Sequence, residues 1–452
     1  LIAHAEDAEG NVLFVPPDQM EWSIAEGIDV IDLSTNGIVS AKKLGTATVV
    51  VTDIDSGASA SVAIEVIATY DDLLTVAMHL DLTEVTNNPS PHRWNISSLS
   101  EEIDQMMADS ASAGVDKILF RVDCEGEVMY QSPTHTVYEG APETEFAVQQ
   151  DALGQCVEKA HEYGMELWAW IEIFENGYSA GGHWDRYFAD RPYLWLLRKG
   201  WDEPLTWRER EFWFGMPCYA YPEARQRRVT EFAELASMYD IDGFYICTRK
   251  HGVPQDSGNF NYGYNPVIVE EYKRRWGVDP SEVVDATEPT SLAAQRFSQL
   301  KAEYITQLIR EAHEVVDGLP FVVQVGYMTC SVDTDYAYVD YRTIFAEGLS
   351  DRAWCLRVSR NNALNVCGRT IPTSGWYRIY EWSDIVRDNG QRDYSDHGIN
   401  PEMRARHAAA IRNALADAVR QGHDEVTFHE QYWFEVEDLY PILRAALDEP
   451  VL

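Results

Sequence analysis

The pattern of hydrophobic and polar positions changes near residue 68. Before it, short runs rich in Val, Ile and Thr, such as TATVVVTD (46–53) and SASVAIEVIA (59–68), are bounded by the turn clusters STNG and DIDSGAS, with no helical period. This predicts a small β-sandwich over residues 1–67. From about residue 70, apolar runs of strand length alternate with amphipathic helical stretches. The runs are LLTVAMHLDL (73–82), KILFRVD (117–123), ELWAWIEIF (166–174), DGFYICTR (242–249), PFVVQVGYM (320–328), RAWCLRVS (352–359), GWYRIYEW (375–382) and EVTFHEQY (425–432). Helical stretches at 99–114, 149–164, 223–240, 291–317 and 401–422 lie between them, several ending in a Gly suited to a helix C-cap. Eight β–α alternations predict a (β/α)8 TIM barrel over residues 70–452, with the runs near 355 and 378 the weakest strands. A doubly wound sheet is the competing architecture, but no Gly-rich nucleotide loop follows any run.

Strand parity locates a site. In a barrel, alternate residues face the surrounding helices and must be apolar, so the remaining residues point inward. This places His79 and Asp81 inward on the first strand, and Arg121 and Asp123 on the second. Trp168, Trp170 and Glu172 point inward on the third, and Tyr245, Cys247 and Arg249 on the fourth. Gln324, Arg357 and His429 do so on the fifth, sixth and eighth. Barrel interiors are normally filled by branched aliphatics, and unpaired polar groups are expensive to bury. Strands that end in His, Asp, Glu, Arg or Gln therefore predict a polar pocket at the C-terminal mouth, and buried ion pairs are the competing explanation.

Composition narrows the chemistry. The 452-residue chain carries 36 Lys+Arg against 74 Asp+Glu, a formal charge of −38. Such a chain is repelled by phosphate backbones and anionic lipid surfaces, which argues against nucleic-acid partners. No apolar run reaches the ~20 residues that span a bilayer, so no membrane insertion is expected. Seven cysteines without CxxC or CxxH spacing fit neither a disulfide framework nor a zinc site, and they read as buried small hydrophobes. The polar stretch 251–265 lacks the regular Asp spacing of a calcium loop and reads as facing substrate. No metal or other cofactor is expected. The chain begins at Leu1 rather than Met, as a mature or truncated product does.

Aromatic residues reach 12%, with 14 Trp and 24 Tyr, and many fall just past strand ends or in long insertions, among them Trp195, Tyr262, Tyr264, Trp382, Tyr432 and Trp433. Flat sugar faces stack on such rings, while carboxylates and guanidinium groups take the hydroxyls, so the composition points to a polysaccharide or oligosaccharide ligand. The alternative is that about half of these rings anchor loops.

Two resemblances sharpen this. Trp22, the Asn36-Gly37 turn before IVSA, Gly45-Thr46-Ala47 and the closing strand resemble the group 2 bacterial immunoglobulin-like domain. That likeness implies a spacer or adhesive module on a secreted or extracytoplasmic bacterial protein. GVDKILFRVDCEGEVMYQSP, AHEYGMELWAWIEIF, PEARQRRVTEFAELASMYDIDGFYICTR and VIVEEYKRRWGVDP resemble successive segments of the glycosyl-hydrolase-like family 10 over about residues 70–330. This implies a glycosidase-like (β/α)8 barrel acting on a polysaccharide. Members of that family tend to carry an acid five positions after the Asp of the Asp-Gly strand. Counted from Asp242, that position is Cys247, so the usual catalytic assignment does not transfer.

Glycoside hydrolysis needs two carboxyl groups flanking the scissile bond. Glu172 is the first candidate, inward and beside Trp170. Its partner is Glu381 or Glu430 at the late strand ends, with Glu175, Asp123 and Asp81 in reserve. His79, Asp81, Arg121, Asp123, Trp170, Arg249, His251, Gln324, Arg357, Trp382, His429 and Trp433 are the candidate substrate contacts. Arg121, Arg249, His251 and Arg357 have two readings: recognition of a sulfated or uronic glycan by guanidinium forks, or ion pairs with acids of the same mouth. The function expected is a polysaccharide glycosidase. A non-catalytic glycan-binding barrel and a polysaccharide lyase are the alternatives.

Overall fold

The structure, a computed structural model, describes residues 3, 5–6, 12–13, 15–87, 94–124, 126–174, 176–178, 183–200, 216–248, 259–316, 318–325, 339–355, 360–368, 370–379, 400–429 and 431–451. The first part is all β, as its pattern predicts. Met20–Glu26, Gly45–Asp53 and Ser59–Val66 form an antiparallel sheet, and Ile31–Leu33 pairs with Val39–Ala41. Val30, Ile31, Ala47, Val49 and Val66 make its core, with Trp22 packed against them. Gly37 has φ +77° and lies under the Trp22 ring, where a Cβ would come within 2.8 Å, so glycine is required there on both counts.

The remainder is a closed barrel of eight parallel strands in sequence order: Thr75–Leu80, Lys117–Arg121, Glu166–Glu172, Gly243–Cys247, Phe321–Val325, Arg352–Cys355, Thr373–Tyr377 and Glu425–Phe428. All eight overlap the apolar runs, including the two weakest, with strand seven beginning two residues before its run. They are called strands one to eight below. The helices Leu99–Ser112, Ala152–Glu162, Pro222–Met238, Leu292–Val315 and Pro401–Gln421 fall on the predicted stretches. The last of these starts cleanly because the Asn400 side chain accepts from the backbone N–H groups of Glu402 and Met403. Residues 450–451 pair with 68–69, tying the last helix to the entry of the first strand.

The helix-facing side of the strands is apolar, as parity requires, except on strand seven, where Thr373 meets His423 and Tyr377 donates to Asp417. Val76, Met78, Ile118, Phe120, Leu167, Ile171, Phe244, Val323 and Val426 join one continuous core with helix residues such as Ile103, Leu153, Phe232 and Leu300. The interior is a separate cluster built largely from aromatic rings: Ala77, Leu119, Trp168, Trp170, Tyr245, Cys247, Val322, Trp354 and Trp376. Below these rings, at the N-terminal end of the barrel, Lys117 reaches the fully buried Glu425 at 2.9 Å and lies over the Trp168 ring at 4.2 Å. The Tyr245 hydroxyl also donates to Glu425.

Gly243 opens strand four because Trp168 lies against it. A Cβ there would meet the indole at 2.4 Å and the Pro320 carbonyl at 2.8 Å. Gly243→Ala must push the indole off Lys117 or shift the backbone, an overpacking cost of about 1–3 kcal/mol. Urea unfolding should show that loss, and an unchanged midpoint would remove the steric argument.

Candidate active site

Strands one, two and three bring three charged side chains together at the C-terminal mouth. Arg121 ends strand two. Its Nη1 donates to Asp81 Oδ2 at 2.8 Å, and its Nη2 donates to Glu172 Oε2 at 2.6 Å. Glu172 and Asp81 are buried, and the guanidinium is the most open of the three. Asp81 is held from the other side by Thr83, whose backbone N–H and hydroxyl both donate to Oδ1, at 2.8 and 2.6 Å. One guanidinium thus joins two carboxylates from neighbouring strands, and the mouth keeps a net negative charge from these three groups.

The floor beside them is aromatic. His79 of strand one is tilted on Trp170 with centroids 3.8 Å apart, and it stacks on His429 at 4.8 Å and 18°. Trp376 meets His429 edge-on at 4.9 Å, and Trp354 meets Trp170 at 4.7 Å. The Trp354 and Trp376 indole nitrogens are buried without a hydrogen-bond partner among the described residues. Parity reasoning missed these two tryptophans, although the apolar Ala353 and Cys355 on either side of Trp354 carried the signal.

Several expectations need correction. Asp123 does not join the mouth cluster. Ladder pairing of strand two stops at Arg121, and Asp123–Cys124 pairs instead with Glu127–Val128, so the alternation used to aim Asp123 inward has already ended. Its carboxylate accepts from the Glu172 backbone N–H at 3.0 Å and from Arg228 Nη1 at 2.8 Å. Trp170 is fully buried and serves as floor rather than as an open stacking face. Trp433 lies in the outer core, edge-on to His407 of the helix Pro401–Gln421. Trp195, Tyr262, Tyr264 and Tyr432 are likewise buried, the loop-anchor alternative. Gln324 accepts from the Thr248 N–H at 2.9 Å and from Cys247 Sγ at 3.1 Å, so its carbonyl oxygen latches strand five to the end of strand four. For Arg121 the ion-pair reading holds. Glu381, Glu430, Glu175, Arg249, His251, Arg357 and Trp382 lie outside the described residues.

Cys247 stands level with Glu172 in the ladder, where the family pattern has an acid, and is packed in the interior cluster. The other described cysteines are also buried. Asp242, earlier in that run, accepts from the Leu167 N–H at 2.7 Å and faces His161 Nε2 at 2.9 Å, a structural role. The Tyr-x-Ser of the second-strand loop is explained by Glu234 of the helix Pro222–Met238. Glu234 accepts from Tyr130 Oη at 3.1 Å and from Ser132 Oγ at 2.5 Å, and it faces His135. Burial alone would raise the Glu234 pKa, but the bonds from His135, Ser132 and Thr134 outweigh it and hold it at about 2. Among the described residues, no three His, Cys, Asp or Glu side chains gather to hold a metal, and no helix is long and apolar enough to cross a membrane.

Burial raises the Asp123 carboxyl to about 7; Arg228 opposes the rise, while Glu231 and Glu172 add to it. An acid whose folded pKa exceeds its unfolded value, here 3.8, binds its proton more tightly when folded. Its contribution to stability is complete below about pH 4 and is lost as pH climbs through about 7. Asp123→Asn cannot ionise, so its melting temperature should gain on the parent's over that window. A constant gap between the two melting curves would contradict this.

The sequence model of a family described as glycosyl hydrolase-like 10 matches residues 82–361, well over half the chain. No curated protein sequence matches it. Among solved structures, the glycoside hydrolase domain of PgaB (BpsB) from Bordetella bronchiseptica superposes with a TM-score of 0.51 at 12% identity, covering 82% of this chain and 99% of that one. Alpha-L-fucosidase isoenzyme 2 from Paenibacillus thiaminolyticus gives 0.50 at 15% identity, covering 83% of this chain and 49% of that one. The chain thus spans about half the length of the fucosidase and nearly all of the Bordetella domain. At these identities both likenesses show the fold.

Proposed function

The chain belongs to the glycosyl hydrolase-like 10 family, and from that premise we propose that it is a glycoside hydrolase acting on a polysaccharide or oligosaccharide at the C-terminal mouth of the barrel. The observation that carries the reading is the Asp81–Arg121–Glu172 cluster: two buried carboxylates on one guanidinium, beside a floor of imidazole and indole rings. The glycosidases among the similar folds support the same class.

Glu172 is the carboxylate we assign to the chemistry. Held by Arg121 and facing the mouth, it suits a nucleophile or a base rather than a proton donor. The proton donor is then Glu381 or Glu430, which follow strands seven and eight. An anionic substrate would be gripped by Arg249, His251 and Arg357, since Arg121 is already engaged by Asp81 and Glu172. The test is a reducing-sugar screen of the chain and of Glu172→Gln against neutral, uronic and sulfated polysaccharides. Cleavage of one class, absent in the variant, is the expected result. One observation favours the glycan-binding alternative: Cys247 stands in place of an acid beside Glu172 and its thiol is bonded to Gln324. Glycan binding without product would support that reading.

A further inference from the structure

The backbone of Glu172 is held by side chains from outside its own strand. Its N–H donates to Asp123 Oδ1 at 3.0 Å, and its carbonyl accepts from Arg228 Nη2 at 3.2 Å. Arg228 also grips the carboxylates of Asp123, at 2.8 Å, and Glu231, at 2.5 Å. Exposures of 2%, 3% and 1% for Asp123, Arg228 and Glu231 put the trio inside the protein. The grip falls at the last rung of strand three, where Glu172 is level with Cys247 and ladder pairing ends. Past it, Ile173 is held by its own N–H on the Cys247 carbonyl, at 3.3 Å, and by the Tyr219 hydroxyl on its carbonyl.

The trio is a poor way to gain stability. Desolvating a guanidinium and its carboxyl partners costs about as much as their attraction returns, and apolar replacements of the same volume often do as well or better. A cavity lies beside it, lined by Asp123, His135, Asn176, Asp185, Arg227 and Glu231 among others. Asn176 Nδ2 and Glu231 Oε1 are buried there without a hydrogen-bond partner among the described residues. Glu172 itself does not line that cavity, and the side chains that bond its backbone N–H and carbonyl directly are those of Asp123 and Arg228.

We propose that Asp123 and Arg228 are positioning residues for Glu172: they fix both polar groups of its backbone and so aim its carboxylate at Arg121 and the mouth. This rests on the reading of Glu172 as the reacting carboxylate. Neither residue touches the mouth itself, so the expected signature is a loss in turnover rather than in substrate binding.

The experiment uses the full chain with Asp123→Ala, Asp123→Asn and Arg228→Lys. Each variant is assayed on the glycan that the parent cleaves, and its crystal structure is determined. Asp123→Ala should lower kcat on the order of 10–100-fold, the scale of a misplacement near 1 Å, and leave KM within about twofold. Asp123→Asn keeps an oxygen for the Glu172 N–H but turns an amide NH2 toward Arg228, and should recover part of kcat. A parental kcat in Asp123→Ala, or a loss of which Asp123→Asn recovers nothing, overturns the proposal. If the parent cleaves no glycan, the catalytic reading of Glu172 fails on its own, and the crystal structures still decide on positioning. Separation of Glu172 from Arg121 in Asp123→Ala upholds it, and an unmoved 2.6 Å contact overturns it. If Asp123→Ala does not fold, Arg228→Lys, which keeps the charge and loses the fork, is read by the same two measures.

Discussion

Glu172→Gln is expected to abolish glycan cleavage, with a loss on the order of 10²–10⁴ in kcat or more. The substitution preserves size and leaves an amide that still accepts from Arg121, so Asp81 keeps its partner and the mouth keeps its shape. What disappears is the charge that attacks the anomeric carbon or activates water. The melting temperature should fall only by the exchange of a charge-assisted bond to Arg121 for a neutral one, since the backbone bonds to Asp123 and Arg228 are kept. Reducing-end assay of the two proteins side by side, on the preferred glycan, measures this. Activity that survives in the variant would move the catalytic pair to Glu381 and Glu430.

The second large effect belongs to stability. Lys117→Met should cost about 3–5 kcal/mol, because it strips a cation from a carboxylate with no exposure at all. Lys117 Nζ lies 2.9 Å from Glu425 of strand eight and 3.5 Å from Glu166, its ladder partner on strand three. Burial by itself raises the Glu425 pKa, but Lys117 and Arg352, with the Tyr245 hydroxyl, outweigh it and hold the group below its ordinary value. A group with a depressed folded pKa stabilises above its unfolded value and loses that contribution as pH falls. The parent therefore draws on this pair at neutral pH, and the variant's deficit should shrink in acid, where Glu425 can take a proton. Urea unfolding of both proteins at about pH 3.5 and pH 8, below and above the unfolded value of 4.5, tests both statements. The double variant Lys117→Met with Glu425→Gln should regain much of the loss, since it removes the stranded charge along with its partner. A deficit under about 1 kcal/mol at pH 8 would mean that Arg352 alone satisfies Glu425.

Both predictions concern inward-facing charges, and only part of their behaviour was legible in the sequence. The helix-facing side of a barrel strand must be largely apolar over four or five residues, and that constraint is local. It therefore marked the eight strands and the inward direction of His79, Arg121, Glu172, Gln324 and His429. The family likeness was equally legible, since it rests on contiguous segments. What alternation could not supply was the partner of each inward group. Arg121 meets Asp81 and Glu172 only because the register of strands one to three sets their ends side by side. Lys117 and Glu425 are 308 positions apart and become neighbours only when strand eight closes on strand one. Asp123 escaped the pattern because the chain leaves the ladder at Arg121, after which side-chain direction follows the new ribbon. Trp433 escaped it because a short helix past strand eight turned its ring to His407. The sequence by itself determined the barrel and which faces look inward, since apolar periodicity is a property of neighbours along the chain. Tertiary structure alone decided which charges neutralise one another and what holds Glu172, since ion pairing depends on distances that only barrel closure creates.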